Sequence, residues 1–159
     1  LCGIPTIATV SSEEFLGNPK FHEEIFGPYS LVVRCKSLDE YALVARSMEG
    51  QLTCTMMATS DDMKDHVDLI EDIKVLCGRF IMNGVPTGVE VCLSMQHGGP
   101  FPATTDGRFT SVGGDAMRRF VRPLTFQNWP AELLPDELKN ENPLNIFRTV
   151  NNHLSNDKI

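Results

Sequence analysis

Between residues 30 and 83 the sequence switches between two periodicities with almost nothing in between, and this rhythm narrows the possible folds more than any other feature. Residues 30–35 (S-L-V-V-R-C) are β-branched at their centre and read as a strand. Ser37-Leu38-Asp39-Glu40 follows as a capping box whose glutamate reaches back to the serine amide. Leu38, Tyr41, Ala42, Ala45 and Met48 then recur at helical spacing, and Gly50 ends the helix. Residues 52–59 read as a second strand. Ser60 caps the next helix, with Asp61 and Asp62 at its positive end. Met63, Val67, Ile70, Ile73 and Cys77 form its buried stripe, and Gly78 stops it. Residues 79–83 (R-F-I-M-N) are a third, short strand. Strands joined by helices through short connections require right-handed crossovers. The expected fold is therefore α/β, a mostly parallel sheet with flanking helices.

The flanks are less regular. Residues 1–10 read as a strand or an extended segment. Residues 11–16 (S-S-E-E-F-L) read as a short helical turn with a serine in the capping role, and Gly17-Asn18-Pro19 breaks it. Residues 84–114 are rich in Gly, Pro and Thr and hold no period; a loop of that length within a domain is usually functional or disordered. Residues 115–120 read as a short helix and 121–128 as a C-terminal edge strand, because Pro123 has no amide to give a central ladder. A last helix is expected over 145–154. The expected organisation is one domain over 1–128 and a Pro/Asn-rich surface tail over 129–159.

Composition excludes several function classes. The chain has 159 residues, 42% of them hydrophobic and 22% charged, which suffices for a domain with a core. A formal net charge of -7 and the absence of a basic run disfavour nucleic acid as a partner. No apolar run approaches the ~20 residues that span a bilayer, so no membrane partner is expected. The cysteines Cys2, Cys35, Cys54, Cys77 and Cys92 are odd in number and form no C-x-x-C pair. That usage fits a reducing, cytoplasmic setting better than a disulfide framework. The four histidines show no metal-ligand spacing, and no metal is expected.

The string Glu23-Glu24-Ile25-Phe26-Gly27-Pro28, with Asn18-Pro19 before it and a strand after it, is the most informative motif. By itself it reads equally well as an exposed acidic turn closed by F-G-P. It resembles the E-E-[IV]-F-G-P motif of the aldehyde dehydrogenase superfamily, and further segments follow in the superfamily's order. Gly50-Gln51-Leu52-Thr53 precedes a strand, and Gly78 to Gly84 (G-R-F-I-M-N-G) resembles its G-x-[ILV]-x-[ILV]-N segment. Pro86-Thr87-Gly88-Val89-Glu90-Val91 and His97-Gly98-Gly99-Pro100-Phe101-Pro102-Ala103-Thr104-Thr105 resemble the α-ketoglutaric semialdehyde (2,5-dioxovalerate) dehydrogenases in particular. Ser111-Val112-Gly113-Gly114 and Arg119-Phe120-Val121-Arg122-Pro123 continue the likeness.

The resemblance implies the later, C-terminal portion of an aldehyde dehydrogenase catalytic domain, with NAD or NADP as cofactor and a small-molecule aldehyde as substrate. Glu24 would accept hydrogen bonds from the nicotinamide ribose, and Phe26 would pack beside the nicotinamide. Phe101 would form a wall of the aldehyde tunnel, with Thr104 or Thr105 meeting the substrate's distal end. Residues 122–127 would pair subunits in a homo-oligomer. Asn83 would tie loop backbone groups. In the superfamily the nucleophilic cysteine and the glutamate base precede the E-E-I-F-G-P motif, so no catalytic residue is expected here and the isolated chain is expected to be inactive. Cys54, in G-Q-L-T-C-T, echoes the family's G-Q-x-C string with the wrong spacing and order, and it reads as an ordinary strand thiol. Cys92 reads as a small buried hydrophobe. No G-x-G-x-x-G or G-x-x-x-x-G-K-[ST] occurs. Two other readings share the fold: a non-catalytic oligomerisation or binding module, and an acyl-phosphate or acyl-CoA reductase.

Overall fold

A computed structural model of the chain describes residues 3–86 and 88–159. Leu1, Cys2 and Thr87 lie outside the described residues, and with them the start of the expected first strand, one of the thiols and one residue of the P-T-G-V-E-V string. Contacts divide the chain into two units, Leu1–Val121 and Arg122–Ile159.

The larger unit is mixed α/β, as the rhythm implied. Strand β1 (Thr6–Ser11) pairs parallel with β2 (Tyr29–Arg34), Thr6 lying opposite Tyr29 and Ser11 opposite Arg34. Strand β3 (Gln51–Met56) pairs parallel with β4 (Cys77–Met82), Gln51 lying opposite Cys77 and Met56 opposite Met82. The strands thus form two separate parallel pairs, where the alternation suggested one sheet. Each pair encloses its own crossover. Helix α1 (Ser12–Gly17) and a 3-10 turn (Pro19–His22) link β1 to β2, while α3 (Ser60–Asp65) and α4 (Val67–Lys74) link β3 to β4. Helix α2 (Leu38–Ser47) runs from one pair to the other.

Polar side chains set the helix starts. Ser11 caps α1 in a reciprocal box: its hydroxyl accepts from the Glu14 amide at 3.2 Å, and Glu14 accepts from the Ser11 amide at 2.9 Å. The box expected at α2 is only half formed. Ser37 accepts from the Glu40 amide, but the Glu40 carboxylate accepts instead from the Lys36 amide at 2.8 Å and the Ser12 hydroxyl at 2.7 Å. That choice ties α2 to α1, and those same donors hold the Glu40 carboxyl below its ordinary pKa. Thr59, rather than Ser60, caps α3, with Asp62 completing the box.

The single helix expected after Ser60 breaks at His66, whose φ of -128° and ψ of 43° are not helical. The break rotates the stripe: Leu69 and Ile73 are buried, whereas Val67 is exposed. Phe15 is the third buried hydrophobic residue, and no large side chain among the described residues is fully enclosed. Ile7, Phe26, Val91, Leu93 and Phe120 stand in solvent. Parallel strands are normally covered on both faces, so this core is thin for its fold class.

The smaller unit departs furthest from expectation. Residues 121–128 carry no strand pairing, so the edge strand is not formed. Pro123 removes one amide, and Asn128 turns the chain at a φ of 53°. Nor is there a helix over 145–154. Strands β5 (Arg148–Val150) and β6 (His153–Ser155) form an antiparallel hairpin there. Its corner is Asn151-Asn152, with φ of 50° and 67°, the paired left-handed geometry that two-residue hairpins favour. Turn chemistry outweighed the weak helical spacing. In the larger unit, residues 115–120, expected as a short helix, lie in a 3-10 turn (Gly114–Phe120).

Candidate functional site

The Gly/Pro-rich loop is fixed by two kinds of contact. Its own hydrogen bonds close it. The His97 amide donates to the Thr110 hydroxyl at 3.0 Å, the Ser111 amide donates to the His97 carbonyl at 2.9 Å, and the Thr104 hydroxyl donates to the Gly99 carbonyl at 2.8 Å. Glycines then let its backbone lie on the starts of β3 and β4. A β carbon on Gly78 would fall onto the Gly98 carbonyl, one on Gly50 onto the Pro100 carbonyl, and one on Gly99 onto the Gln51 carbonyl. Gly50 and Gly78 were expected to end helices. Helices α2 and α4 in fact stop earlier, at Ser47 and Lys74. What requires glycine at these positions is close approach, not a helix end. The paired Gly98-Gly99 was the available signal for this seam, and only the fold shows what faces it.

Asn83 performs the expected backbone role. At a φ of 49°, its side-chain amide donates to the Ala58 carbonyl at 2.8 Å, and its side-chain oxygen accepts from the Ala58 amide at 3.0 Å. It thereby fixes the chain ends just beyond β3 and β4.

The seated loop faces the acidic motif across an open cleft of about 860 Å³. His22, Glu23 and Glu24 line it together with Gly50, Gln51 and Thr53 and with Pro102 and Ala103 of the loop. Glu23, Glu24 and Glu49 give the cleft negative charge, and no lysine or arginine lines it. Such a lining attracts hydroxyl donors and cations and repels phosphates. Neither Glu23 nor Glu24 takes part in an ion pair among the described residues.

The structure therefore brings Glu24 together with residues of the distal loop. It does not bring all the expected residues to the cleft lining. Phe26 is 95% exposed and Phe101 is 78% exposed, and neither lines the cleft. Thr104 is half-buried with its hydroxyl engaged by Gly99, and Thr105 is exposed. His22 escaped the sequence reading. Its ring stacks on Phe15 with centroids 4.2 Å apart and planes 10° apart, and its Nε2 lies 3.1 Å from the Phe15 carbonyl oxygen. A second groove, between α2 and the α3–α4 pair, encloses about 520 Å³ and contains none of the expected site residues.

Cys54 and Cys35 behave as structural thiols. Burial, and then neighbouring Cys77, pushes the Cys54 thiol up to about 12, so it holds almost no thiolate at neutral pH. Burial and Glu40 likewise raise Cys35. Cys92 is exposed rather than buried as expected, because the loop that carries it stays at the surface; its sulfur lies 3.4 Å from the Ser94 hydroxyl. All described cysteines are free. Among the described residues no group of three or more His, Cys, Asp or Glu is placed to hold a metal, and no helix is long and apolar enough to cross a membrane.

No family model matches the sequence. Curated proteins do, among them two alpha-ketoglutaric semialdehyde dehydrogenases. The chain is 49% identical over 139 residues to alpha-ketoglutaric semialdehyde dehydrogenase 2 of Azospirillum brasilense. It is 47% identical over 142 residues to the alpha-ketoglutaric semialdehyde dehydrogenase of Acinetobacter baylyi. Each match takes in 87% of this chain and 26% of the relative, so the chain spans about a quarter of the length of the curated relatives it matches.

Proposed function

We propose, from the premise that this chain is homologous to part of an aldehyde dehydrogenase superfamily member, that it is the C-terminal part of an NAD(P)-dependent enzyme oxidising an aldehyde to a carboxylate. The names of its relatives make α-ketoglutaric semialdehyde the first substrate to test. The observation that carries the reading is the shared cleft: Glu24 and the Pro102-Ala103 segment, remote in sequence, line one cavity.

The cleft's charge fits one end of a dinucleotide. An exposed carboxylate without an ion-pair partner accepts two ribose hydroxyls through charge-assisted hydrogen bonds. The surrounding glutamates favour the cationic nicotinamide end over the pyrophosphate. The cofactor, when bound, supplies the hydride acceptor for the oxidation. Within this chain, Glu24 orients the ribose and Phe26 offers an exposed apolar face to the nicotinamide. Phe101 borders the aldehyde path, with Thr104 and Thr105 beside it.

The nucleophile and the general base belong to the rest of the polypeptide in this reading. The thin core and exposed apolar side chains support it, since surfaces of that kind are normally covered. Free cysteines accord with a reducing, cytoplasmic setting. Subunit pairing through residues 122–127 remains part of the proposal. The test is dehydrogenase activity of the full-length protein, followed as reduced nicotinamide, beside that of this chain alone. The full-length protein should turn over α-ketoglutaric semialdehyde with NAD+ or NADP+, and this chain should not. An inactive full-length protein, or an isolated chain whose turnover disappears with Cys54→Ser, overturns the assignment.

A further inference from the structure

We infer that His22 is a positioning residue that sets Glu24 at the cleft, a role that rests on the reading of Glu24 as a ribose acceptor. The 3-10 turn Pro19–His22 is the last ordered element before the acidic pair. Asn18 holds its start, accepting from the Lys20 amide at 3.2 Å. His22 holds its end, and it does so through the most buried hydrophobic side chain among the described residues. Its ring lies flat on Phe15, which is 4% exposed, and its Nε2 meets the carbonyl of that same residue.

A carbonyl only accepts, so Nε2 carries the proton in this contact. Stack and hydrogen bond together leave the imidazole no freedom to swing. The turn is thereby pinned to α1, and Glu23 and Glu24 leave it in a fixed direction. Glu23 continues the restraint, its amide donating to the Lys20 carbonyl at 3.4 Å. No side-chain hydrogen bond or ion pair among the described residues holds Glu23 or Glu24, both exposed and both lining the cleft. His22 is among the residues that line that same cleft, so the anchor sits at the site. A hydrogen-bonding site built to hold a ribose loses affinity when its acceptor is free to wander, because the ligand must then order it on binding.

The test is a double-mutant cycle in the active full-length protein. His22→Phe keeps a ring on Phe15 and removes the donor, while His22→Gln restores an N–H near the Nε2 position. His22→Phe should raise the dinucleotide KM about tenfold while leaving the aldehyde KM and kcat within about twofold. His22→Gln should recover most of the loss. In a Glu24→Gln background the His22→Phe effect should vanish, because a residue that acts through Glu24 has nothing left to position. An unchanged dinucleotide KM in His22→Phe overturns the inference. So does an effect that adds in full to that of Glu24→Gln, or a uniform fall of kcat and rise of both KM values. If Glu24→Gln itself leaves the dinucleotide KM unchanged, the ribose reading fails and the role of His22 fails with it. If Glu24→Gln raises that KM and His22→Phe does nothing, only the role of His22 is lost.

Discussion

The loop around Gly98 and the unit Arg122–Ile159 are both poor in helix and strand, yet they are fixed differently. The loop, closed by its own hydroxyl–backbone bonds, is seated on β3 and β4 where side chains are absent: Gly50, Gly78, Gly98 and Gly99 bring backbone against backbone. The smaller unit is held by side chains that reach backbone. Buried Asn142 donates to the carbonyls of Ile146 at 3.0 Å and Asn156 at 2.7 Å and accepts from the Ile146 amide at 3.1 Å. Arg148 donates to the carbonyls of Lys139, Asn140 and Asp157. An irregular chain must still satisfy its buried amides and carbonyls. It can do so by lying close to another backbone, or by recruiting an amide or guanidinium with several donors. The first solution creates a rigid shelf beside a cleft, and the second creates a self-contained unit.

The comparison breaks most visibly at the glycine seam. Gly78→Ala should destabilise the larger unit by about 3 kcal/mol, since its methyl meets the Gly98 backbone and neither strand nor loop can yield cheaply. A urea midpoint equal to the wild type would mean that the seam is not tight. Asn142→Ala should cost about 2 kcal/mol, the penalty for stranding buried backbone groups. Its effect should appear as lost amide protection at Ile146 and its neighbours while the loop amides hold. If protection falls in both units alike, the two frames are not independent.

The smallest effect concerns Asp106, which supports the loop at its rim. The Arg108 guanidinium and amide hold its carboxyl at about 2, against an ordinary value of 3.8. A depressed carboxylate stabilises the fold above its unfolded value, and that contribution is lost as pH falls from 3.8 through about 2. Asp106→Asn should therefore slightly lower stability at neutral pH and abolish this segment of the acid titration. NMR titration of the Asp106 carboxyl giving an ordinary value would refute the pairing.

Much of the larger unit was legible because short-range physics wrote it. Strands β2, β3 and β4, their parallel sense and a serine cap on α1 follow from local spacing and chemistry. That Asn83 would hold backbone came from its motif; its partner Ala58, 25 residues away, is given only by the fold. Local signals misled where two nearby candidates competed, as at Thr59 against Ser60 or at the His66 break, because one residue's shift rotates a whole helical face. Of the candidate site, Glu24 was legible through its motif. His22 was not, because its significance lies in a stack with Phe15 across a turn.

The order of strands and helices from β1 to β4 and the acidic motif were determined by the sequence alone, since each depends on residues a few positions apart. The split into two strand pairs, the hairpin at Asn151-Asn152 and the meeting of Glu24 with Pro102 were decided only in three dimensions. These features depend on contacts between distant residues, and what they gain from those contacts outweighs any local preference.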